Sequence, residues 1–369
     1  MRAPEREEAG FSLIEVLIAL AIFAAAIVPM LYVASSGQRL ARSQPEASDL
    51  HQRIRVAADK IQRDLTMAGA GPLLGLAGTD FGAYVPPIVP SRTGLRLADP
   101  EMSAASDRVS VIYVADDGQA VRLAASMASA SAPLRLDVAA SGCAGPGVCG
   151  FTDGTRALVL DARGIGWGYD TFTVSSVNPA TGDVAHDAPN QTFSRSYEAG
   201  AWIVPIVQHV YYFDRAGRRL MLYDGHQSDM PLVDNVVDAT FSYFVDGSPS
   251  SVVRPPDGES NCLFDAGAPP PPRLADLGSG LHLIPAAELS DGPSCGVSPN
   301  RFDGDLLRIR LVRVKLRLQA AAEDVRGTGP SFSRAGRSTS GHSYVPDYEV
   351  TFDVAPRNAG VSVVIGRQP

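Results

Sequence analysis

The stretch EEAGFSLIEVLIALAIFAAAIVPMLYVASS, residues 7–36, decides how the rest of the chain is read. From Phe11 to Ala34 its only ionisable side chains are Glu15 and Tyr32. About 24 helical residues at ~1.5 Å each reach roughly 36 Å, enough to cross a ~30 Å hydrocarbon core with some tilt. A cleaved secretory signal has a positive n-region, a shorter apolar run and a small-residue site after it. Here Arg2, Arg6 and the amino terminus are balanced by Glu5, Glu7 and Glu8, and no A-x-A pattern follows the run. A plain membrane anchor leaves Glu15 unexplained. A carboxylate in a span costs on the order of 2.5–3.5 kcal/mol at the helix centre and less near an end, and such groups usually have a partner. Pro29 cannot donate to the carbonyl of Ala25, so a kink or local melting is expected there.

Gly10, Phe11 and Glu15, with the apolar helix after them, resemble the N-terminus of type IV prepilins and of type II secretion pseudopilins. In that family a membrane-bound aspartic peptidase cuts after a glycine. The new N-terminal residue, usually Phe, is N-methylated, and a glutamate stands at the fifth mature position. The resemblance therefore implies cleavage between Gly10 and Phe11, methylation of Phe11, and pairing of Glu15 with the amine that cleavage creates. That partner lies in its own chain or, once packed, in a neighbour. An orphaned buried charge is expensive, so the pairing favours a packed, registered helix bundle. The implied partners are the prepilin peptidase, an inner-membrane assembly platform, and other minor and major pilins or pseudopilins. The implied location is the inner membrane, single-pass with the head in the periplasm, and then a pilus or pseudopilus at the cell surface. The leader MRAPEREEAG departs from many members in carrying three glutamates, which weakens a positive-inside argument for orientation but leaves the cleavage motif intact.

From Glu46 the sequence EASDLHQRIRVAADKIQRDLTMAGAG places Leu50, Ile54, Ala57, Ile61, Leu65 and Ala68 at spacings of three and four. This is an amphipathic helix with a core-facing stripe. AGAGP supplies its stop, and Pro45 either breaks it from the span or begins it anew. Asp64, Leu65, Ala68 and Gly69 are similar to the end of this helix in PilW-type minor pilins, of which the J-type pseudopilin of type II secretion is a near relative. Residues 208–247 carry a second, looser resemblance to the same group.

After Pro72 the texture becomes β: 108–115, 156–162, 169–177, 201–214, 218–225 and 239–246 alternate or carry β-branched and aromatic residues, with Gly, Asp and Asn between them. FDRAGRRL reads as a hairpin turn using Asp214 and Gly217. In LLRIRLVRVKLRLQA, 306–320, the alternation slips at Val312, and a β-bulge near Leu311–Val312 repairs it. Its row of Arg308, Arg310, Arg313, Lys315 and Arg317 suits either a solvated or edge-strand face, or contact with DNA or a neighbour's acidic surface. The expected fold is α+β, with a long N-terminal helix packed on an antiparallel sheet head. The resemblance makes this the type IV pilin fold. The divisions are a leader at 1–10, a transmembrane assembly helix at 11–36, an amphipathic helix at 37–69 and a head at 70–369. A Pro/Gly-rich loop insertion is expected at about 247–305.

The net charge of −8 and pI near 5.3 give no general attraction to nucleic acid or anionic lipid, so nucleic acid is not an expected partner. Four cysteines admit three pairings. CAGPGVC closes a short loop and Cys262 and Cys295 bracket a Pro-rich stretch, so Cys143–Cys149 and Cys262–Cys295 are expected in an oxidising compartment, with four free thiols as the alternative. The six histidines are scattered, and no HExxH, GxSxG or P-loop pattern occurs. GIGWG at 164–168 reads as a turn. NRFDGD and PPDGES hold carboxylates but lack EF-hand spacing. No catalytic residue, cofactor or metal is expected. The expected function is structural: a minor pilin in the tip or priming complex of a type IV pilus. A J-type pseudopilin is the nearer alternative, and a tip adhesin or DNA-binding module the more distant one.

Overall fold

The structure is a computed structural model. It describes residues 12–71, 84–114, 118–143, 146–161, 168–187, 191–248, 252, 262–264, 274, 276–338 and 344–358. The chain divides into two compact units, Met1–Gln52 with Gln319–Tyr348, and Arg53–Leu318 with Glu349–Pro369.

Helix α1 runs from Leu13 to Met67 as one element of 55 residues, with Pro29 and Pro45 inside it. A kink or local melting at Pro29, and a break or a fresh start at Pro45, were the expectations; the helix runs on through both prolines, so neither the melting nor the break occurs. A proline removes one donor and crowds one carbonyl, a cost of about 3 kcal/mol. The i→i−4 bonds on both sides of each proline hold the helix through that loss. The polar stripe opposite the core belongs to the same helix as the span. Leu50, Ile54, Ala57, Ile61, Leu65 and Ala68 are all buried, which is the stripe read from the spacing. The helix stops at Gly69, whose φ of +73° is left-handed. Its amide is donated to the carbonyl of Ile112 (3.0 Å), and a Cβ there would stand 3.2 Å from Pro87. Glycine is therefore required by both backbone and space.

In the first unit, the described residues from Gln319 to Asp347 form one short 3-10 turn, Glu323–Val325, and are otherwise irregular. The Ala322 amide donates to Glu46 Oε1 (2.9 Å), and Phe332 meets Tyr344 edge-on at 5.7 Å.

The second unit is built on antiparallel sheets. The strands are β1 (Ile88–Val89), β2 (Arg108–Val114), β3 (Val121–Arg122), β4 (Leu134–Arg135), β5 (Arg156–Asp161), β6 (Gly168–Asn178), β7 (Asp183–His186) and β8 (Trp202–Asp214). They continue with β9 (Arg219–Tyr223), β10 (Asp229–Asp234), β11 (Val236–Asp246), β12 (Leu281–Ile284), β13 (Ser294–Cys295), β14 (Phe302–Asp303), β15 (Ile309–Leu318) and β16 (Tyr348–Val354). The large sheet has the order β1-β2-β8-β5-β6-β7-β4, with β3 and β9 also on β8 and β10 on β9. The second sheet is β12-β11-β15-β16, and β13 and β14 form a ribbon. Strand β8, 13 residues long, organises the large sheet because β2, β3, β5 and β9 all pair with it. The β8–β9 hairpin turns where Asp214 Oδ1 accepts the amides of Ala216 and Gly217 (3.1 and 3.0 Å), the role read for those residues. The two sheets are stitched by Phe241 N to Ser106 O (2.6 Å) and by the Tyr243 hydroxyl to Arg108 O (2.8 Å).

Two sequence expectations change, and one strand is new. The bulge in β15 sits at Arg310 and not at Leu311–Val312. Ile309 opposes Val245 and Leu311 opposes Phe244, so Arg310 is the extra residue and Ile309 turns back into the core. The insertion at 247–305 is not all loop, since its residues Leu281–Ile284 add strand β12 to β11 and its residues 294–295 and 302–303 form the small ribbon. Strand β10, with Pro231 inside it, had no separate signal. The 164–167 part of GIGWG and all of PPDGES lie outside the described residues.

Ile61 is wholly buried on the stripe. Ile61→Ala is expected to lower unfolding free energy by about 2–5 kcal/mol in denaturant titration, through lost transfer energy and a residual cavity. A loss below about 1 kcal/mol would mean the stripe is not a core.

Candidate functional site

The described chain begins at Ser12, so Gly10 and Phe11 lie just outside the described residues. From Ser12 onward the chain forms a helix N-terminus with its own closure. The Ser12 amide donates to Glu15 Oε2 (2.9 Å), and the Ser12 hydroxyl accepts the Ile14 amide (3.4 Å). The first helical bond runs from Val16 N to Ser12 O (3.2 Å). Ser12-Leu13-Ile14-Glu15 is thus an S-x-x-E cap in which the N3 glutamate reaches back to the N-cap amide. The sequence reading gave Glu15 the Phe11 amine as its partner and did not include this cap, although Ser12 three residues before Glu15 was a visible signal. The negative carboxylate also complements the positive end of the helix dipole. The peptide nitrogen next in the chain before Ser12 N is that of Phe11, where cleavage would put an amine.

Among the described residues, the helix beyond the cap finds no cover. Leu13–Ala34 has a mean hydropathy of 2.7 and is long and apolar enough to cross a membrane, with none of its most apolar stretch buried within the chain. Leu13 is 80% exposed, which no water-facing helix would favour along such a length.

At the other end of α1, Asp64 is the buried polar centre. Its carboxylate, 1% exposed, accepts from His209 Nδ1 (2.7 Å), from the Tyr211 hydroxyl and from the Tyr113 hydroxyl (3.3 Å). Lys60, one turn earlier, adds an ion pair at 3.1 Å. Strands β2 and β8 therefore grip one helical side chain from three positions. Burial pushes the carboxyl up, but the hydrogen bond and charge of His209, the Tyr211 hydroxyl and Lys60 outweigh it and hold Asp64 below its ordinary value. Burial, then Asp64, drive the Tyr211 phenol well above its usual range, so it stays a donor.

A second buried carboxylate was not legible in the sequence. Asp170 on β6 accepts the Ser194 amide and hydroxyl (2.9 and 2.7 Å), the Tyr197 hydroxyl (2.7 Å) and Asn300 Nδ2 (2.6 Å). Burial outweighs these donors and raises its carboxyl. It ties two distant loops to one strand.

Of the five-residue basic row, Arg313, Lys315 and Arg317 keep the outward alternation, while Arg308 and Arg310 leave it. Arg308 lies in a short 3-10 turn and is 1% exposed, donating to the carbonyls of Asp246 (3.0 Å) and Gly247 (2.6 Å) and pairing with Asp305 (3.0 Å). Arg310, in the bulge, donates to the Leu307 and Ile309 carbonyls, and burial draws its guanidinium down to about 10. Arg313 and Lys315 do face outward, yet Arg313 forks onto Asp353 (2.7 and 2.8 Å) and Lys315 reaches Glu349 (3.3 Å). Strand β16 brings these acids alongside, so the outward charges are already answered.

The structure joins Cys143 to Cys149 and Cys262 to Cys295, with Cα–Cα distances of 5.0 and 5.1 Å. Asp303 and Asp305 of NRFDGD serve the local turn and Arg308. Among the described residues, no group of three or more His, Cys, Asp or Glu side chains converges as for a metal ion.

An unburied apolar helix with a closed N-terminus, ahead of an antiparallel β domain, is the α+β arrangement of the type IV pilin fold. Residues 6–31 match the prokaryotic N-terminal methylation motif, the type IV prepilin-like signal. That match supports a type IV pilin- or pseudopilin-like protein anchored in a membrane. It implies processing by a prepilin peptidase and assembly with pilins in general. No curated protein and no solved structure matches the chain.

A depressed carboxyl contributes stability above the unfolded value near 3.8 and loses it as pH falls through the folded value. Asp64→Asn is therefore expected to cost about 1–3 kcal/mol at pH 7, with a weaker loss of stability below about pH 4 than the native chain shows. Denaturant titrations at pH 7, 5 and 3 read both effects, and parallel pH profiles would contradict the assignment.

Proposed function

We propose that the protein is a PilW-type minor pilin, a structural subunit of the tip or priming complex of a type IV pilus, and not an enzyme. The observation that carries the reading is the methylation motif set on a capped, uncovered apolar helix that continues without a break into the core of a large β domain. Such a helix needs partners of its own kind, and other subunits' helices supply apolar faces of the same length. The head, with two disulfides, suits the oxidising periplasm. Asp64, Leu65, Ala68 and Gly69 resemble the PilW-type helix end, and in this chain Asp64 is the buried centre at that place. The paired outward charges of β15 weigh against a DNA-binding head.

Cleavage at Gly10–Phe11 and methylation of Phe11 are tested by mass spectrometry of chain extracted from membranes containing the peptidase. The expected N-terminus is methylated Phe11, and an intact Met1 under those conditions would sink the proposal. Deletion of the gene is expected to remove surface pili while leaving protein secretion intact; the opposite pattern would assign the chain to type II secretion.

Glu15→Ala is expected to leave insertion and cleavage in place while cutting incorporation into pili at least tenfold. The cap alone accounts for about 0.5–2 kcal/mol of helix stability. Ser12→Ala removes the other half of the cap, the Ile14 amide's bond to the Ser12 hydroxyl, and keeps the carboxylate together with its bond from the backbone amide of residue 12. Loss of incorporation with Glu15→Ala but not Ser12→Ala is the expected split, measured by immunoblot of sheared filaments; equal loss would reduce Glu15 to a cap.

A further inference from the structure

The second unit holds a cavity of about 170 Å³, walled by the loop before β2, by β6 and β8, and by β14 with the residues on either side of it. Glu101 and Arg301, both exposed, stand on its lining. Tyr169 is the group in it that the fold does not explain. It is 8% exposed and lines the cavity, and among the described residues its hydroxyl has no hydrogen-bond partner. Burial, then the charge of Asp170, drive the phenol well above its usual range, so the hydroxyl keeps its proton. A buried hydroxyl without a partner costs free energy, and the cavity is where a partner would stand.

The other polar side chains on the lining are already oriented. Arg156 donates to Gln208 Oε1 (3.0 Å) and to Thr171 Oγ1 (2.9 Å). Gln208 Nε2 in turn donates to Thr93 Oγ1 (2.7 Å). Thr171 and Thr93 both line the cavity, and each oxygen has its donor, so each hydroxyl is left to donate. Asn300 gives an amide hydrogen to Asp170 Oδ1 (2.6 Å), which leaves its own carbonyl oxygen as an acceptor. Asp303 accepts the amides of Gly292 and Asp305, and a carboxylate with two bonds can still accept.

The lining therefore offers donors and acceptors together, while its outer charges are answered in the wall. Arg92 pairs with Asp99 (2.8 Å), and Arg301 stands 3.9 Å from Glu101. An ammonium only donates and a carboxylate only accepts, whereas a hydroxyl does both. The apolar part of the lining includes the rings of Tyr169 and Phe302, with centroids 6.2 Å apart. A cavity of about 150 Å³ takes one six-membered ring. Ring size, hydroxyl chemistry and an apolar face together describe a neutral sugar.

We propose that this cavity binds one neutral hexopyranose unit, whose hydroxyls accept from Tyr169, Thr171 and Thr93 and donate to Asn300 and Asp303, with its C–H face against Phe302. The site belongs to the β domain whichever filament or secretion machine the chain serves.

The test uses the full chain in a detergent without a sugar headgroup. Methyl α-glucoside, methyl α-galactoside and methyl α-mannoside are the probes, read by saturation-transfer NMR and titration calorimetry. At least one is expected to bind with a Kd of about 1 mM. No binding of any of the three at about twenty times that concentration overturns the proposal. Tyr169→Phe removes a hydroxyl that no described residue uses. It is expected to weaken binding about tenfold and to leave the unfolding midpoint in denaturant unchanged or higher. Equal binding by this variant, or a lowered midpoint, would show that the hydroxyl serves the fold and not a ligand. The uronic-acid counterpart of the sugar that binds is expected to bind at least about tenfold more weakly, and equal or tighter binding would overturn the neutral class.

Discussion

Among the described residues, the first 22 of α1 have nothing to bury against, and that is the constraint every account of this chain must meet. An apolar helix of this length is stable only in lipid or against other apolar helices. The chain's answer is to make the helix self-sufficient in every respect except its sides. Its backbone is closed at the start by Ser12 and Glu15, bridges two prolines, and ends at a glycine held by Ile112. The remaining demand is for lateral contact alone, which is what the methylation motif at residues 6–31 leads one to look for.

The second half of the same helix solves the opposite problem. Its apolar stripe is covered, but a smooth stripe tolerates sliding and rotation. Asp64 removes that freedom, because one buried carboxylate must meet His209, Tyr211, Tyr113 and Lys60 together. A helix turned by one residue would leave an uncompensated charge in the core, which costs several kcal/mol. Asp170 applies the same principle to loops, fixing Ser194, Tyr197 and Asn300 against β6. In both cases polar burial gives position where apolar burial gives only adhesion.

The parts of this fold that were legible in the sequence are those set by local periodicity. The stripe from Leu50 to Ala68, the long strands β2, β5, β6, β8 and β11, and the Asp214 turn arise from spacing and turn chemistry. The parts that were not legible depend on contacts between distant residues. LHLI is too short to show a period, and only its pairing with β11 makes it a strand. The bulge moved from Val312 to Arg310 because the core claims Ile309, a decision made by the partner strand and not by alternation. Arg308 looked like one of five surface cations, yet two carbonyls and Asp305 draw it inside. Continuity through Pro29 and Pro45 was hidden because local rules count the lost hydrogen bond and not the neighbours that remain. At the N-terminus the spacing of Glu15 was plain, but Ser12 as its counterpart was overlooked.

The uninterrupted α1 has a mechanical meaning. Within the second unit, a pull along the axis of α1 is met by the buried residues from Ile54 to Leu65. There the load falls across the stripe and the four bonds of Asp64 in shear, so they resist as a set rather than parting one after another. A chain built this way can be drawn by its helix without peeling its sheet.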